Sequence, residues 1–430
     1  MPDAAKIVRQ AACVLLLGAA LAAPQAVLPA GIDPQDFNQV ERGRYLTIAG
    51  DCAACHTLPG SSHDFAGGRI IETPFGRLIA PNITPDPLTG IGAWTDDEFV
   101  NALTKGTGRN GTRLYPAMPY TYYTKVTRED ALAIRAYLNT IPAVQNEVKS
   151  NQLPFPFDIR MSLEGWDKLF FTPGVFHPDP NKSAEWNRGA YLAQGLEHCA
   201  MCHTPKNEFG GDETSKVNQG YNLQGWFAPD ITNDPRRGLG GWSVEEIADY
   251  LKYGHNKTTN ATGLMSETIN LSTSKLSDED VRAIAVYLKD QPGDPFASSA
   301  HNNQAAAAPG TPPDQHIMRV GAQIYADECS GCHTPNGKGV PGLFPSLNGV
   351  PSVQQIDPAS LLHVVLRGAL SVATPKAPTG PQMPAFAWLL TDDQVAAVLT
   401  YIRNSWGNSA PAVAASDVQK ARSALTERND

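Results

Sequence analysis

Apolar positions along this chain of 430 residues recur with helical spacing in short runs, and three of the runs are near copies. Ala131, Leu132, Ile134, Ala136, Tyr137 and Leu138 form one stripe. Val281, Ala283, Ile284, Val286, Tyr287 and Leu288 form a second, and Val395, Ala396, Val398, Leu399, Tyr401 and Ile402 a third. Before each stands a hydroxyl residue with a carboxyl or amide residue three places on: Thr127-x-x-Asp130, Ser277-x-x-Asp280 and Thr391-x-x-Gln394. Thr95-x-x-Glu98 and Ser243-x-x-Glu246 repeat that signature, and all five predict helix starts of the capping-box kind. No long period-two pattern occurs. The 37 glycines and 35 prolines feed loops, so the expected class is all-α with extensive coil.

The stripes close three units of one repeat. Arg42-Gly43-Arg44-Tyr45-Leu46 matches Arg188-Gly189-Ala190-Tyr191-Leu192, and Ala80-Pro81-Asn82-Ile83-Thr84 matches Ala228-Pro229-Asp230-Ile231-Thr232. Trp94 matches Trp242, while a more distant third unit keeps Gly321 and Tyr325. Expected boundaries are 34–145, 184–293 and 316–407 for the units. A proline-aromatic connector takes 146–183, a linker rich in Ala, Pro, Asn and Ser takes 294–315, and a polar tail takes 408–430. The connector, with Leu153-Pro154-Phe155-Pro156-Phe157-Asp158-Ile159-Arg160, Trp166 and Leu169-Phe170-Phe171, is too aromatic for a free linker and predicts packing across units or on a partner. In the tail, Val418 to Leu425 predicts a short surface helix, not a membrane span.

Residues 1–23 read differently. Lys6 and Arg9 precede an apolar run from Ala11 to Ala23, with small residues at Ala20-Leu21-Ala22 for cleavage, which is the layout of a secretory signal peptide. Export is therefore expected. Apolar content of 42% with 18% charge predicts a globular chain, and a net charge of −9 makes nucleic acid an implausible partner.

The candidate chemistry lies in the cysteines. Cys52-Ala-Ala-Cys55-His56, Cys199-Ala-Met-Cys202-His203 and Cys329-Ser-Gly-Cys332-His333 are three copies of C-x-x-C-H, the attachment signature of c-type haem. Two thiols three apart on a helical turn both reach the vinyl groups of one porphyrin, and the adjacent imidazole supplies the proximal iron ligand. Of seven cysteines, Cys13 lies in the signal and the motifs consume the rest, so none remains for a disulfide, a zinc site or a nucleophile. Three covalently bound haem c groups are expected.

An iron that only passes electrons is best closed on both faces, and methionine sulfur is a usual second ligand. Met118, in Tyr115-Pro116-Ala117-Met118-Pro119, lies 62 residues after His56; Met265 lies 62 after His203; Met383, in Pro381-Gln382-Met383-Pro384, lies 50 after His333. These are the candidate sixth ligands, with His255 as competitor for Met265 and His363 for Met383; ordinary core packing is the alternative for each methionine. Trp94, Trp242 and Trp388 either wall the haem pockets or pack as core. Arg69, Arg77, Arg109 and Arg113 cluster in unit one and either meet haem propionates or, the favoured reading, form a solvated basic face.

Three C-x-x-C-H units, the connector with Trp166 and the methionine loops together resemble the cytochrome c subunit of membrane-bound bacterial dehydrogenases that act on alcohol, gluconate, fructose or aldehyde. The resemblance covers the mature chain and implies three consecutive class I cytochrome c-like domains. It implies a partner catalytic subunit carrying a flavin, pyrroloquinoline quinone or molybdenum cofactor, admits a small third subunit, and makes ubiquinone the electron acceptor at the periplasmic face of the cytoplasmic membrane. Substrate chemistry would then belong to the partner and none to this chain. Relatives often carry a C-terminal membrane segment, whereas the tail here is short and polar. The alternatives are a haem enzyme, either a peroxidase or a reductase of small oxyanions, which needs one open iron face, and a donor to a terminal oxidase.

Overall fold

A computed structural model describes residues 37–293, 313–375 and 377–426. The expected signal peptide at 1–23 and most of the 294–315 linker lie outside the described residues. The rest is helical with long loops, as the spacing predicts, and carries only three two-stranded hairpins: β1 (Ile70–Thr73) with β2 (Gly76–Ile79), β3 (Tyr221–Leu223) with β4 (Trp226–Ala228), and β5 (Ala369–Leu370) with β6 (Gln382–Met383).

Each unit is framed by an opening and a closing helix that pack together: Phe37–Ala49 with Arg128–Leu138, Ala184–Tyr191 with Asp278–Lys289, and Gln315–Ile324 with Asp392–Arg403. Their approach needs glycine. A Cβ on Gly43 would lie 1.8 Å from the Ala133 carbonyl oxygen, one on Gly189 1.8 Å from that of Ala283, and one on Gly321 2.2 Å from that of Ala397. The glycines shared by the repeats therefore set the helix spacing.

Three of the five capping boxes are reciprocal, at Thr95/Glu98, Ser243/Glu246 and Thr391/Gln394. At Thr127 and Ser277 the hydroxyl accepts from the amides of Asp130 and Asp280, but those carboxylates do not turn back to the cap. They are spent on a contact between units. Asp130 accepts from Arg42 of its own unit (2.8 Å) and from Tyr191 Oη of unit two (2.5 Å). Asp280 accepts from Arg188 of its own unit (2.7 Å) and from Tyr45 Oη of unit one (2.6 Å). The two clusters mirror each other across the boundary.

Around them units one and two share a single apolar core in which Leu46, Leu103 and Ile134 join Leu192, Ile247 and Ile284. Unit three has its own, built on Val353, Leu366 and Leu399. The tail departs from expectation here. Residues Ala415–Thr426 are helical, but Val418 and Leu425 are buried in the third core and Arg422 bonds Asp392 (2.8 Å), so the helix is part of unit three rather than a surface appendage. The connector is half committed. Tyr115 Oη bonds Phe157 O (3.0 Å), Tyr120 Oη bonds Asp167 (2.7 Å), and Phe155, Met161 and Leu169 remain exposed. No described helix is long and apolar enough to cross a membrane.

Candidate haem sites

Each C-x-x-C-H motif forms a single helical turn, at Cys52–His56 and Cys199–His203 and, in unit three, Ser330–His333. In the first two units the residue before the motif turns the chain through a left-handed conformation, Asp51 at φ 47° and His198 at φ 35°. Unit two carries one more residue between its glycine and its first cysteine, and the opening helix absorbs it in a π-helical turn at Leu192–Leu196. Unit three enters its motif directly from a π turn at Tyr325–Cys329.

The three histidines are held identically. Nδ1 of His56 meets the Pro81 carbonyl at 2.7 Å, that of His203 meets Pro229 at 2.6 Å, and that of His333 meets Pro345 at 2.9 Å. A carbonyl only accepts, so Nδ1 carries the proton and Nε2 keeps its lone pair for a metal. The backbone is fixed as well: the carbonyls of His56, His203 and His333 accept from the amides of Gly67 (2.7 Å), Gly220 (2.7 Å) and Gly339 (2.9 Å). All three glycines have positive φ, which lets the loop fold over the histidine. Burial pushes the three imidazoles below their usual range, toward the neutral form that binds iron. Burial also pushes the thiols up, Cys52 to about 12 and Cys55, Cys202 and Cys329 to about 11. Protonated buried thiols are poor ligands for a bare ion, and among the described residues no cluster of three or more His, Cys, Asp or Glu is arranged to hold one.

Units two and three line one shared, partly open cavity. Cys202, His203 and Met265 line it on one side, and Cys329, His333 and Met383 on the other. Its walls are mostly apolar, which suits a porphyrin face, and its donor set is one thiol-bearing turn, one imidazole and one thioether from each unit. Those residues fit haem c. His255 and His363, the competing ligands, are not among the lining residues; His363 instead stacks on Trp226 at 3.9 Å. In unit one Met118 sits in the Tyr115–Tyr120 turn, packed against the joint core. The three methionines occupy different local structures: Met118 a turn, Met265 the third position of the Gly263–Leu271 helix, Met383 strand β6.

The first and second sites also adjoin. Tyr123 Oη bonds Gly50 O (2.6 Å), just before the first motif, while its ring meets His198, just before the second, at 5.5 Å. Arg69 bonds the Ala54 carbonyl and pairs with Glu267 at 2.5 Å, two residues beyond Met265. Arg69 is thus a bridge and not part of a solvated face; Arg77, Arg109 and Arg113 pair with Glu72, Glu98 and Asp167. Between the sites, burial and the Glu267 charge push the Asp51 carboxyl up to about 8. Trp94 and Trp242 pack against the joint core, whereas Trp388 is 81% exposed and walls nothing. The proline carbonyls are functional groups that the motifs do not announce; the Ala-Pro pairs shared by units one and two were their only trace in the sequence.

The cytochrome c family profile matches residues 40–142, 187–292 and 318–406. The chain is 39% identical over 399 residues to the gluconate 2-dehydrogenase cytochrome c subunit of Pantoea cypripedii, covering 89% of each chain. It is 37% identical over 426 residues to the cytochrome c subunit of alcohol dehydrogenase (quinone) from Gluconacetobacter polyoxogenes, covering 96% of this chain and 88% of that one. To the fructose dehydrogenase cytochrome subunit of Gluconobacter japonicus it is 36% identical over 405 residues, 89% and 82% of the two chains.

Proposed function

The chain belongs to the cytochrome c family, and we propose that it is the tri-haem electron-transfer subunit of a dehydrogenase, carrying electrons from a catalytic subunit to ubiquinone. The observation that carries this reading is the threefold repetition of one fixture, a C-x-x-C-H turn whose histidine is locked by a proline carbonyl at Nδ1. Each haem c, when bound, supplies a one-electron iron couple. Cys52 and Cys55, Cys199 and Cys202, and Cys329 and Cys332 attach the porphyrins. His56, His203 and His333 present Nε2 to the irons, with Met118, Met265 and Met383 opposite. The proline carbonyls keep each imidazole in one tautomer and orientation. The second site touches both others, so it is the relay of a linear order.

The chain is exported after cleavage of residues 1–23 and works at the periplasmic face of the cytoplasmic membrane, with the haem units at 34–145, 184–293 and 316–407. The catalytic subunit is of the flavin, pyrroloquinoline quinone or molybdenum type, and substrate chemistry belongs to it. A quinone acceptor, taken here as ubiquinone, is supported by the relative whose name specifies quinone.

The test is production of the chain in cells competent in cytochrome maturation, followed by intact mass and pyridine haemochrome assay. Three haems per mature chain are expected, and two in Cys199→Ala. The complex purified with its catalytic subunit should reduce a soluble ubiquinone analogue. A colourless product overturns the haem assignment, and a three-haem complex that never reduces the quinone overturns the acceptor.

A further inference from the structure

Units one and two carry equivalent hairpin strands, β2 and β4, each running into the proline whose carbonyl holds the proximal histidine. Aligned on Ala80-Pro81 and Ala228-Pro229, Arg77, Leu78 and Ile79 correspond to Gly225, Trp226 and Phe227. The outer edge of each strand is covered, by different parts of the chain. On β2, the connector pairs Gln152 with Arg77 through both backbone bonds (2.8 and 3.0 Å), and Asn151 Oδ1 accepts from the Ile79 amide (2.9 Å). On β4 the same two positions are taken by unit three. His363 Nδ1 meets the Gly225 carbonyl at 3.4 Å, and Ser360 Oγ accepts from the Phe227 amide (2.8 Å) and donates to its carbonyl (3.1 Å). Ser360 and His363 lie three apart on the Ala359–Arg367 helix, hence on one face.

Between those two fastenings stands Trp226. One ring face stacks on the His363 imidazole, centroids 3.9 Å apart and planes 24° apart. The ring also fills the space beside Gly263, where a Cβ would come within 2.6 Å of it. Gly263 is two residues before Met265 and opens its helix. Trp226 itself lines the shared cavity and is three residues before Pro229. In unit one the matching pair is Leu78 and Pro116, and the strand edge on either side of Leu78 is held by the connector. The indole is therefore clamped between unit three and the start of the methionine helix of unit two.

We propose that Trp226, backed by His363, is a positioning residue that makes ligation of the second iron by Met265 depend on the docking of unit three. The Met265 helix has no proline to fix its first turn, unlike the Met118 loop; the indole fixes it from outside, and unit three fixes the indole. The inference rests on Met265 being the sixth ligand of the second haem.

The test uses the full chain with three haems. Its readouts are carbon monoxide binding to the reduced protein, the far-red methionine-to-iron band, and the haem midpoint potentials. Trp226→Leu, the residue unit one uses, should open one iron per chain to carbon monoxide, remove one third of the far-red band and lower a single potential. Trp226→Phe should keep the stack and retain ligation, and His363→Ala should open the same iron in part. Met265→Ala is the reference. Were it to open no iron, the ligand assignment would fall and this inference with it. If Met265→Ala opens one iron while Trp226→Leu and His363→Ala open none, the inference alone is overturned. A change at the first or third haem in place of the second overturns it as well. Should Trp226→Leu fail to load three haems, His363→Ala decides by the same readouts.

Discussion

Unit two faces a neighbour on each side, and the two boundaries are built from opposite materials. Toward unit one it shares an apolar core and a mirrored pair of clusters, in which the Tyr191 and Tyr45 hydroxyls cross to Asp130 and Asp280. Toward unit three it offers a strand edge, a stacked ring and one side of a shared cavity. The first boundary is what two related units make by symmetry, since each supplies the same arginine, tyrosine and aspartate. Unit three has Val320, Gln323 and Gln394 at those positions and cannot join such a cluster. Its divergence from the repeat therefore has a physical correlate: it docks where a cofactor cavity has to be closed, not where a core is fused.

The largest expected effect tests that contrast directly. Asp130 is almost wholly buried, its side chain 3% exposed. Asp130→Ala strands the Tyr191 hydroxyl and the Arg42 guanidinium, and should destabilise the joined pair by about 3 kcal/mol. Gln394→Ala, which removes only the returning arm of a cap in unit three, should cost about 1 kcal/mol. Calorimetric unfolding of the two variants checks the ratio. Equal losses would mean that the crossed cluster of the first boundary adds nothing beyond an ordinary helix cap.

A smaller effect sharpens it through pH. Burial raises the Asp280 carboxyl, but hydrogen bonds from Arg188 and Tyr45 and the Arg188 charge outweigh burial and hold it below the ordinary range. A carboxyl whose folded value is depressed contributes stability that is present above its unfolded pKa, near 3.9 for aspartate, and lost as pH falls through the folded value. The fused pair should therefore loosen below about pH 4. Asp280→Asn should flatten that slope while the uncharged Gln394 of unit three adds none. Denaturation midpoints of wild type and variant across pH 2 to 6 provide the measurement; parallel curves would mean the ion pair contributes nothing.

What could be read from the sequence follows the same division. The attachment turns, the helix starts and the glycines Gly43, Gly189 and Gly321 are local or periodic signals, written within a few residues of where they act. The acid half of the Asp130 and Asp280 motifs misled, because an aspartate three after a hydroxyl looks like a cap until an arginine and a tyrosine from afar claim it. Tyr45 and Asp280 are 235 residues apart, and no spacing rule reaches that far. The joint cavity and the burial of Val418 and Leu425 were hidden for the same reason. His363 is a competitor to Met383 because its chemistry permits ligation, and the stack on Trp226 gives its ring a structural place instead. Pro81 and Pro229 were visible as repeats, but a backbone carbonyl leaves no residue-type signature to mark its role.

The smallest expected effect lies at the strand edges, where the two boundaries can be compared atom for atom. The Phe227 amide donates to Ser360 Oγ, and the corresponding Ile79 amide donates to Asn151 Oδ1. Each bond is worth about 1 kcal/mol, roughly a fivefold change in an opening equilibrium. Ser360→Ala should speed hydrogen exchange at Phe227 about fivefold and leave Ile79 unchanged. Asn151→Ala should do the reverse. The distinguishing readout is how far each change spreads. The Ser360 bonds hold a separate unit with its own core, so their loss should also raise exchange along the Ala359–Arg367 helix; Asn151 holds only a stretch of connector, so its loss should stay at the β2 edge. If both substitutions stayed local, the docking of unit three would rest on the Trp226–His363 stack and on its other bonds to unit two, among them Gln355 to the Arg237 carbonyl (2.7 Å) and Arg236 to the Ser409 carbonyl (2.6 Å), and the strand edge would be a consequence of docking rather than a cause.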